Sequence, residues 1–237
     1  MNPEIGLEQL ATIDAQQETP KEIEKVGENL PETENPEKYL HQGEKASMTQ
    51  QELEFLKEAI VDNITGEGKE WVENAAHWVQ NNLDYKGEDA ITDSFNNSWH
   101  TLPREQLLAF LNAPHTTKEF FEQGFVVDCE SRADTLAVLC RLKNIPTRVA
   151  FAVEESNAHA PLNQHGTVHF FIESYIGNNW VVFDPMREEE TVTSSEENYR
   201  KMGYVLATQA IDSWEMGIKT LKDQNLVVNK VRAYLIN

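Results

Sequence analysis

Residues 126–146 read Val-Val-Asp-Cys-Glu-Ser-Arg-Ala-Asp-Thr-Leu-Ala-Val-Leu-Cys-Arg-Leu-Lys-Asn-Ile-Pro, and the rest of the chain is organised around them. Ala133, Leu136, Ala137 and Cys140 recur at the three-and-four spacing of a helix buried along one stripe. Cys129 therefore opens that helix. Unpaired backbone N–H groups and the positive end of the macrodipole favour an anion there, and the thiolate is the nucleophilic form of cysteine. Asn144 tolerates the left-handed cap conformation and Pro146 just beyond prevents continuation, so the helix is expected to stop at Asn144.

Downstream the period changes from helical to alternating. Val149, Phe151 and Val153 fall on one face of a strand and the small Ala150 and Ala152 on the other. A polar loop from Glu154 to Gly166 leads into a β-branched and aromatic run in which His169, Phe171, Glu173 and Tyr175 share a face. Gly177-Asn178-Asn179 supplies a turn, and Trp180 to Asp184 form the return strand. With a Gly177-Asn178 loop, His169 faces Met186 and Asp184 is its same-face diagonal neighbour. A histidine and an aspartate are thus expected to meet across a hairpin.

These phrases resemble the transglutaminase-like branch of the papain-like thiol enzymes. The resemblance rests on a cysteine opening a helix that ends in Asn144-Ile145-Pro146-Thr147-Arg148, on His169-Phe170-Phe171-Ile172-Glu173-Ser174-Tyr175, and on Trp180-Val181-Val182-Phe183-Asp184-Pro185. Trp78-Val79-Gln80-Asn81-Asn82 with Tyr85 extends it upstream. It implies an α+β fold, a papain-like core in which the nucleophile helix packs on a small antiparallel β-sheet with additional flanking helices. It also implies Cys129 as nucleophile, His169 as base and Asp184 as the orienting acid, with no cofactor. The chain departs from the family pattern at Val127, where glycine is frequent, at Phe171 in place of tryptophan, and at Asn144 in place of glycine. Val127 bears on how substrate approaches the thiol.

At 237 residues with 40% hydrophobic content the chain can bury a sizeable core. Its formal net charge of -20 argues against a nucleic-acid partner, because phosphate binding needs clustered Lys and Arg. No stretch is long or apolar enough to span a bilayer, and the first residues lack the basic start and apolar run of a secretory signal, so the expected compartment is the cytoplasm without membrane attachment. There are two cysteines, Cys129 and Cys140. On one helix they stand about 16 Å apart at about 1.5 Å per residue, too far for a disulfide. Cys140 lies on the apolar stripe as a core thiol. Asp128 and Glu130 argue against the same burial for Cys129.

Residues 1–46 form an acidic segment rich in Glu, Gln, Pro and Asn, with Pro20, Pro31 and Pro36 as breaks. It is expected to be disordered, a solvating tail or a docking segment for a partner, apart from a possible short helix over Glu22–Asn29. The folded domain is then 47–237. Ser47 or Thr49 caps a helix with Phe55, Leu56 and Ile60 inward, and a second helix runs from about Lys69 to Asn82 with Trp71, Ala75, Trp78 and Val79 at helical spacing. Both tryptophans read as core. A capped helix is expected over Leu102–Leu111 and a short one over Thr116–Phe121. Trp99 or Gln123 could give a side-chain donor to an oxyanion hole beside the Cys129 N–H. After Pro185, an acidic loop and a long amphipathic helix over Glu197–Lys222 are expected from Tyr199, Met202, Leu206, Ala210, Trp214 and Ile218. Leu226–Ile236 suits helix or edge strand.

Function then divides three ways. The first is acyl transfer or hydrolysis on a peptide or protein amide through an acyl-thioester. The second is an inactive member of the fold that binds peptides or proteins. The third, a metal site from Cys129, His159, His165 and His169, is weakened because the four-residue spacing of His165 and His169 falls on loop and strand. His159 and His165 read better as loop residues, and Arg132, Arg148 and Arg187 as structural partners of nearby acids.

Overall fold

The computed structural model describes residues 35–85, 113–126, 128–159, 167–186 and 191–236. The expected helices over Glu22–Asn29 and Leu102–Leu111, and Trp99, Val127, His165 and Arg187, lie outside them. Single turns of 3-10 helix at Pro36–Tyr39 and Glu44–Ala46 lead into α1 (Gln50–Ala59), a further turn at Val61–Asn63 and α2 (Gly68–Asn82). Then come β1 (Asp84–Tyr85), α3 (Thr117–Gln123), β2 (Phe125–Val126), α4 (Cys129–Leu142), β3 (Thr147–Glu154) and α5 (Glu155–Ala158). The chain continues through β4 (Val168–Ile176), β5 (Asn179–Phe183), β6 (Val192–Thr193), α6 (Glu196–Lys201), β7 (Tyr204–Ala210) and α7 (Leu221–Ile236). An antiparallel five-stranded sheet in the order β6-β5-β4-β3-β7 is the platform, and β1 pairs in parallel with β2 beside it. The fold is α+β.

Helix α4 is enclosed by the sheet, α1, α2, α3 and the 44–46 turn, so every residue from Glu130 to Arg141 is buried. One sheet face gives Val149, Phe151, Val153, Phe170 and Ile172 to a core shared with Ala133, Leu136, Ala137 and Cys140. The opposite face gives Ala150, Ala152, Phe171 and Val182 to a smaller core closed by Tyr199 of α6. Burial of each larger apolar side chain there stabilises the fold by about 1.5–3 kcal/mol before entropy is counted. Asn144 takes the expected left-handed conformation (φ 62°), and Ile145 donates its N–H back to the Cys140 carbonyl, ending α4.

The hairpin has the register expected for a Gly177-Asn178 loop, with the return strand one residue earlier, at Asn179–Phe183. Ile176 pairs with Asn179, leaving Gly177 and Asn178 as a two-residue loop, both at positive φ (57° and 69°) as a type I′ turn requires. Behind it the Glu173 carboxylate is fully buried. It accepts from Arg148 Nε (2.7 Å), Tyr199 Oη (2.7 Å), Ser194 Oγ (2.8 Å) and Gln209 Nε2 (2.6 Å). Arg148 is therefore a structural partner, as expected, and its guanidinium also lies 4.2 Å from the Trp180 ring centre.

Three expectations are corrected and one pair of alternatives is resolved. Phe55 is 68% exposed, because Leu56 and Ile60 set the buried stripe and Phe55 lies about 100° round the helix from Leu56. The long helix over Glu197–Lys222 is replaced by α6, β7 and a run of turns before α7. Of the two alternatives for Leu226–Ile236, helix is the one found, as part of α7. The boundary at 46 falls inside a packed segment: Tyr39 stacks edge-on against Trp180 at 5.3 Å, and Lys45 is only 3% exposed.

Candidate active site

Helix α4 begins at Cys129 because Asp128 caps it. The Asp128 Oδ1 accepts the Ser131 N–H (2.8 Å), and the Ser131 hydroxyl accepts the Asp128 N–H (2.9 Å). Cys129 is half-buried at the first helical position, and its sulfur accepts a hydrogen bond from the backbone N–H of Phe170 in β4. The residue before Phe170 is His169. That contact sets the thiol beside the strand that carries the imidazole.

His169 and Asp184 meet across the hairpin, with Nε2 and Oδ1 2.8 Å apart and both side chains nearly closed off from water. Nε2 finds no acceptor along its N–H axis, so the contact is close but not aligned as a hydrogen bond. Such loosely aligned pairs are common before substrate binds. The register extended from Ile172↔Phe183 puts Asp184 diagonal to His169, as the alternation predicts. Asp184 is fixed by accepting the Met186 N–H at 2.8 Å, and the Pro185 carbonyl is tied to α2 by Gln80 Nε2 at 3.2 Å. The imidazole packs edge-on to Phe171 (4.7 Å between ring centres, 84°) and in a tilted stack with Tyr204 (5.7 Å, 25°).

The electrostatics differ from the expectation of a resting thiolate. Burial comes first in pushing the Cys129 thiol well above its ordinary value, and the charges of Asp128, Glu130 and Asp184 add to it, while the Phe170 N–H pulls the other way. The helix terminus contributes only about 0.3–1 kcal/mol towards the anion at exposed sites. Burial and three carboxylates prevail.

Cys129 and Asp128 stay partly exposed, whereas Glu130 does not. Glu130 is buried because Lys45 reaches in from the 44–46 turn, its Nζ 2.6 Å from Glu130 Oε1, 2.7 Å from Asp134 Oδ2 and 3.1 Å from Ser213 Oγ. Gln224 Nε2 donates to the other Glu130 oxygen at 2.8 Å. Asp212 accepts the Lys45 backbone N–H at 2.8 Å. Desolvation, countered in part by Lys45, pushes the Asp128 and Asp134 carboxyls up to about 6. A cavity against this cage is lined by Lys45, His115, Phe120, Asp128, Glu130 and Gln224 among others.

Gln123 lies exposed at the end of α3 and His159 exposed after α5. Among the described residues, no group of three or more His, Cys, Asp and Glu side chains is arranged to hold a metal ion. No described helix is long and apolar enough to cross a membrane. Tyr204, Lys45 and the Phe170 N–H are the site features that sequence patterning does not disclose.

The chain belongs to the transglutaminase-like superfamily, whose family profile matches residues 55–185. Among solved structures, a proposed cysteine protease from Cytophaga hutchinsonii superposes with a TM-score of 0.46 at 17% identity, over 75% of this chain and 47% of that one. A TGase superposes with a TM-score of 0.40 at 13% identity, over 82% of this chain and 53% of that one. The chain spans about half the length of these two structures. No curated protein sequence matches it.

Proposed function

We propose that the protein is a cysteine-dependent acyltransferase or hydrolase acting on peptide-like amides, with Cys129 as nucleophile, His169 as base and Asp184 as the group that orients it. The observation that carries this reading is the 2.8 Å His169–Asp184 contact beside a cysteine that heads a buried helix and is bonded to the residue following that histidine. In the resting state the thiol is neutral. As sulfur attacks the substrate carbonyl, its proton passes to the ring nitrogen of His169 that does not face Asp184, and the carboxylate stabilises the imidazolium. The oxyanion is received at the helix start, where the Cys129 N–H belongs to the set that makes no intrahelical bond. Collapse breaks the C–N bond, the imidazolium proton leaves with the amine, and an acyl-thioester remains on Cys129. Water then gives hydrolysis and a primary amine gives transfer, His169 taking the proton of either. A neutral, unpaired thiol chemistry of this kind suits a reducing compartment, and we assign the reaction to the cytoplasm.

A second reading, a peptide- or protein-binding module without turnover, is favoured by one observation. Burial and three carboxylates hold the Cys129 thiol in its less nucleophilic form. Mass spectrometry of glutamine- and lysine-containing peptides incubated with the protein and a primary amine separates the two. The catalytic reading expects cleavage, deamidation or amine incorporation that Cys129→Ala abolishes. Unchanged peptides that nonetheless bind the protein favour the module.

A further inference from the structure

We propose that Tyr204 is a positioning residue for His169, its ring stacked on the imidazole and aimed there by a β-bulge in β7. The inference rests on the catalytic reading of His169 and adds a residue beyond the 55–185 span of the family match.

Strict antiparallel pairing would place Tyr204 on the wrong side of the sheet. Phe151 pairs with Thr208, so regular alternation would set Ala152 opposite Ala207 and Glu154 opposite Val205. The strand instead shifts: Ala152 pairs with Leu206 and Glu154 with Tyr204, leaving Ala207 as the extra residue. One extra residue turns every following side chain to the other face. Val205 and Ala207 accordingly pack in the core shared with α4, while Tyr204 and Leu206 join the core on the His169 side. The turn at Gly203 (φ 85°), whose carbonyl accepts the Glu155 N–H at 2.8 Å, fixes where β7 begins.

The outcome is an aromatic bracket. Tyr204 lies across the imidazole face, Phe171 meets the ring edge-on, and Phe171 is in turn held edge-on by Tyr204 (5.2 Å) and by Tyr199 (5.4 Å). With Asp184 on Nε2, rotation of the imidazole about its bond to the chain is opposed on its face, its edge and one nitrogen. An aromatic face also attracts a cation, so the stack strengthens when His169 takes up the thiol proton. Both effects act through His169; Tyr204 itself need not touch substrate.

The test measures Cys129 acylation by p-nitrophenyl acetate in the unmutated protein and in Tyr204→Phe, Tyr204→Leu and His169→Ala, normalised to folded protein. The expected order is Tyr204→Phe within about twofold of the unmutated rate and Tyr204→Leu about five- to tenfold slower, equivalent to about 1–1.4 kcal/mol. Tyr204→Leu matching the unmutated protein while His169→Ala is slow would overturn the positioning role alone. Phe and Leu variants slowed equally would also overturn it, since the aromatic face would then be irrelevant. His169→Ala reacting at the unmutated rate would overturn the catalytic reading itself. Should Tyr204→Leu fail to fold, the proton spectrum of the unmutated protein decides. The stack places the His169 ring protons upfield of those of the exposed His159, and coincident shifts would contradict it.

Discussion

Removing the Lys45 ammonium by Lys45→Met is the sharpest perturbation of the helix that carries Cys129. The Nζ lies within 2.7 Å of two buried carboxylates, and Asp128 adds a third negative group to the same cage. Removing one partner of a buried ion pair costs about 3–5 kcal/mol, because the charge left behind is uncompensated. For a domain of this size that is a fall in Tm of roughly 6–20 °C. The pH dependence supplies the check. Burial lowers the Lys45 pKa, but Asp134, Glu130 and Asp128 together raise it by more, so the net shift is upward and its stabilisation is fully present below 10.5. The Asp128 and Asp134 carboxyls are raised from 3.8 to about 6, so their contribution is fully present below 3.8 and is lost as pH rises through about 6. At pH 4.5 Asp134 is largely protonated and tolerates the loss of Lys45 far better than at pH 7.5. Urea unfolding should therefore give a stability gap between the two proteins of about 3–5 kcal/mol at pH 7.5 and about half of that or less at pH 4.5. A gap under about 1 kcal/mol at pH 7.5, or one equal at both pH values, would refute the cage as described.

Because the Cys129 thiol is held up by burial and by Asp128, Glu130 and Asp184, its alkylation by iodoacetamide should be slow at pH 7 and still climbing about tenfold per pH unit past 9, where an ordinary cysteine levels off near 8.5. Cys140, fully buried and pushed up to about 12, should stay unlabelled in the folded protein; peptide mapping reads both, and a rate plateau below pH 7 would contradict the electrostatics. Asp184→Asn keeps the size of the group that meets His169 and should slow acylation by about 10²–10⁴, with a loss under fivefold speaking against the orienting role. Gly43→Ala would set its new Cβ 2.0 Å from Asp212 Oδ2 and 2.9 Å from Ile211 Cγ2, against a carboxylate already pinned by the N–H groups of Lys45 and Glu215. It should cost about 1–3 kcal/mol in thermal or urea unfolding, and an unchanged midpoint would show that the 35–46 segment packs more loosely.

The parts of the site readable in the sequence are those whose determinants are local. The apolar stripe places Cys129 at the start of α4, Asn144 ends it, and Gly177-Asn178 sets a hairpin register that carries Asp184 to His169 by counting alone. What stays hidden depends on distant partners. Lys45 is 85 residues from Glu130, so no local pattern signals that Glu130, beside Cys129, is buried. In β7 the bulge sends Tyr204 and Leu206 to one face and Val205 and Ala207 to the other while inserting a residue at the break. That interruption destroys the period of two, and Tyr199, Met202, Leu206 and Ala210 then imitate a helix. The same irregularity that conceals the strand delivers Tyr204 to the imidazole.

The central claim is that an acyl group passes onto the sulfur of Cys129 with the help of His169. It is tested most directly by mixing the protein with p-nitrophenyl acetate, quenching in acid and locating the acetyl group by mass spectrometry. The account predicts one acetyl on the peptide containing Cys129, none on that peptide in Cys129→Ala, and far slower labelling in His169→Ala. An unlabelled Cys129, or the same labelling rate with and without the imidazole, would contradict it.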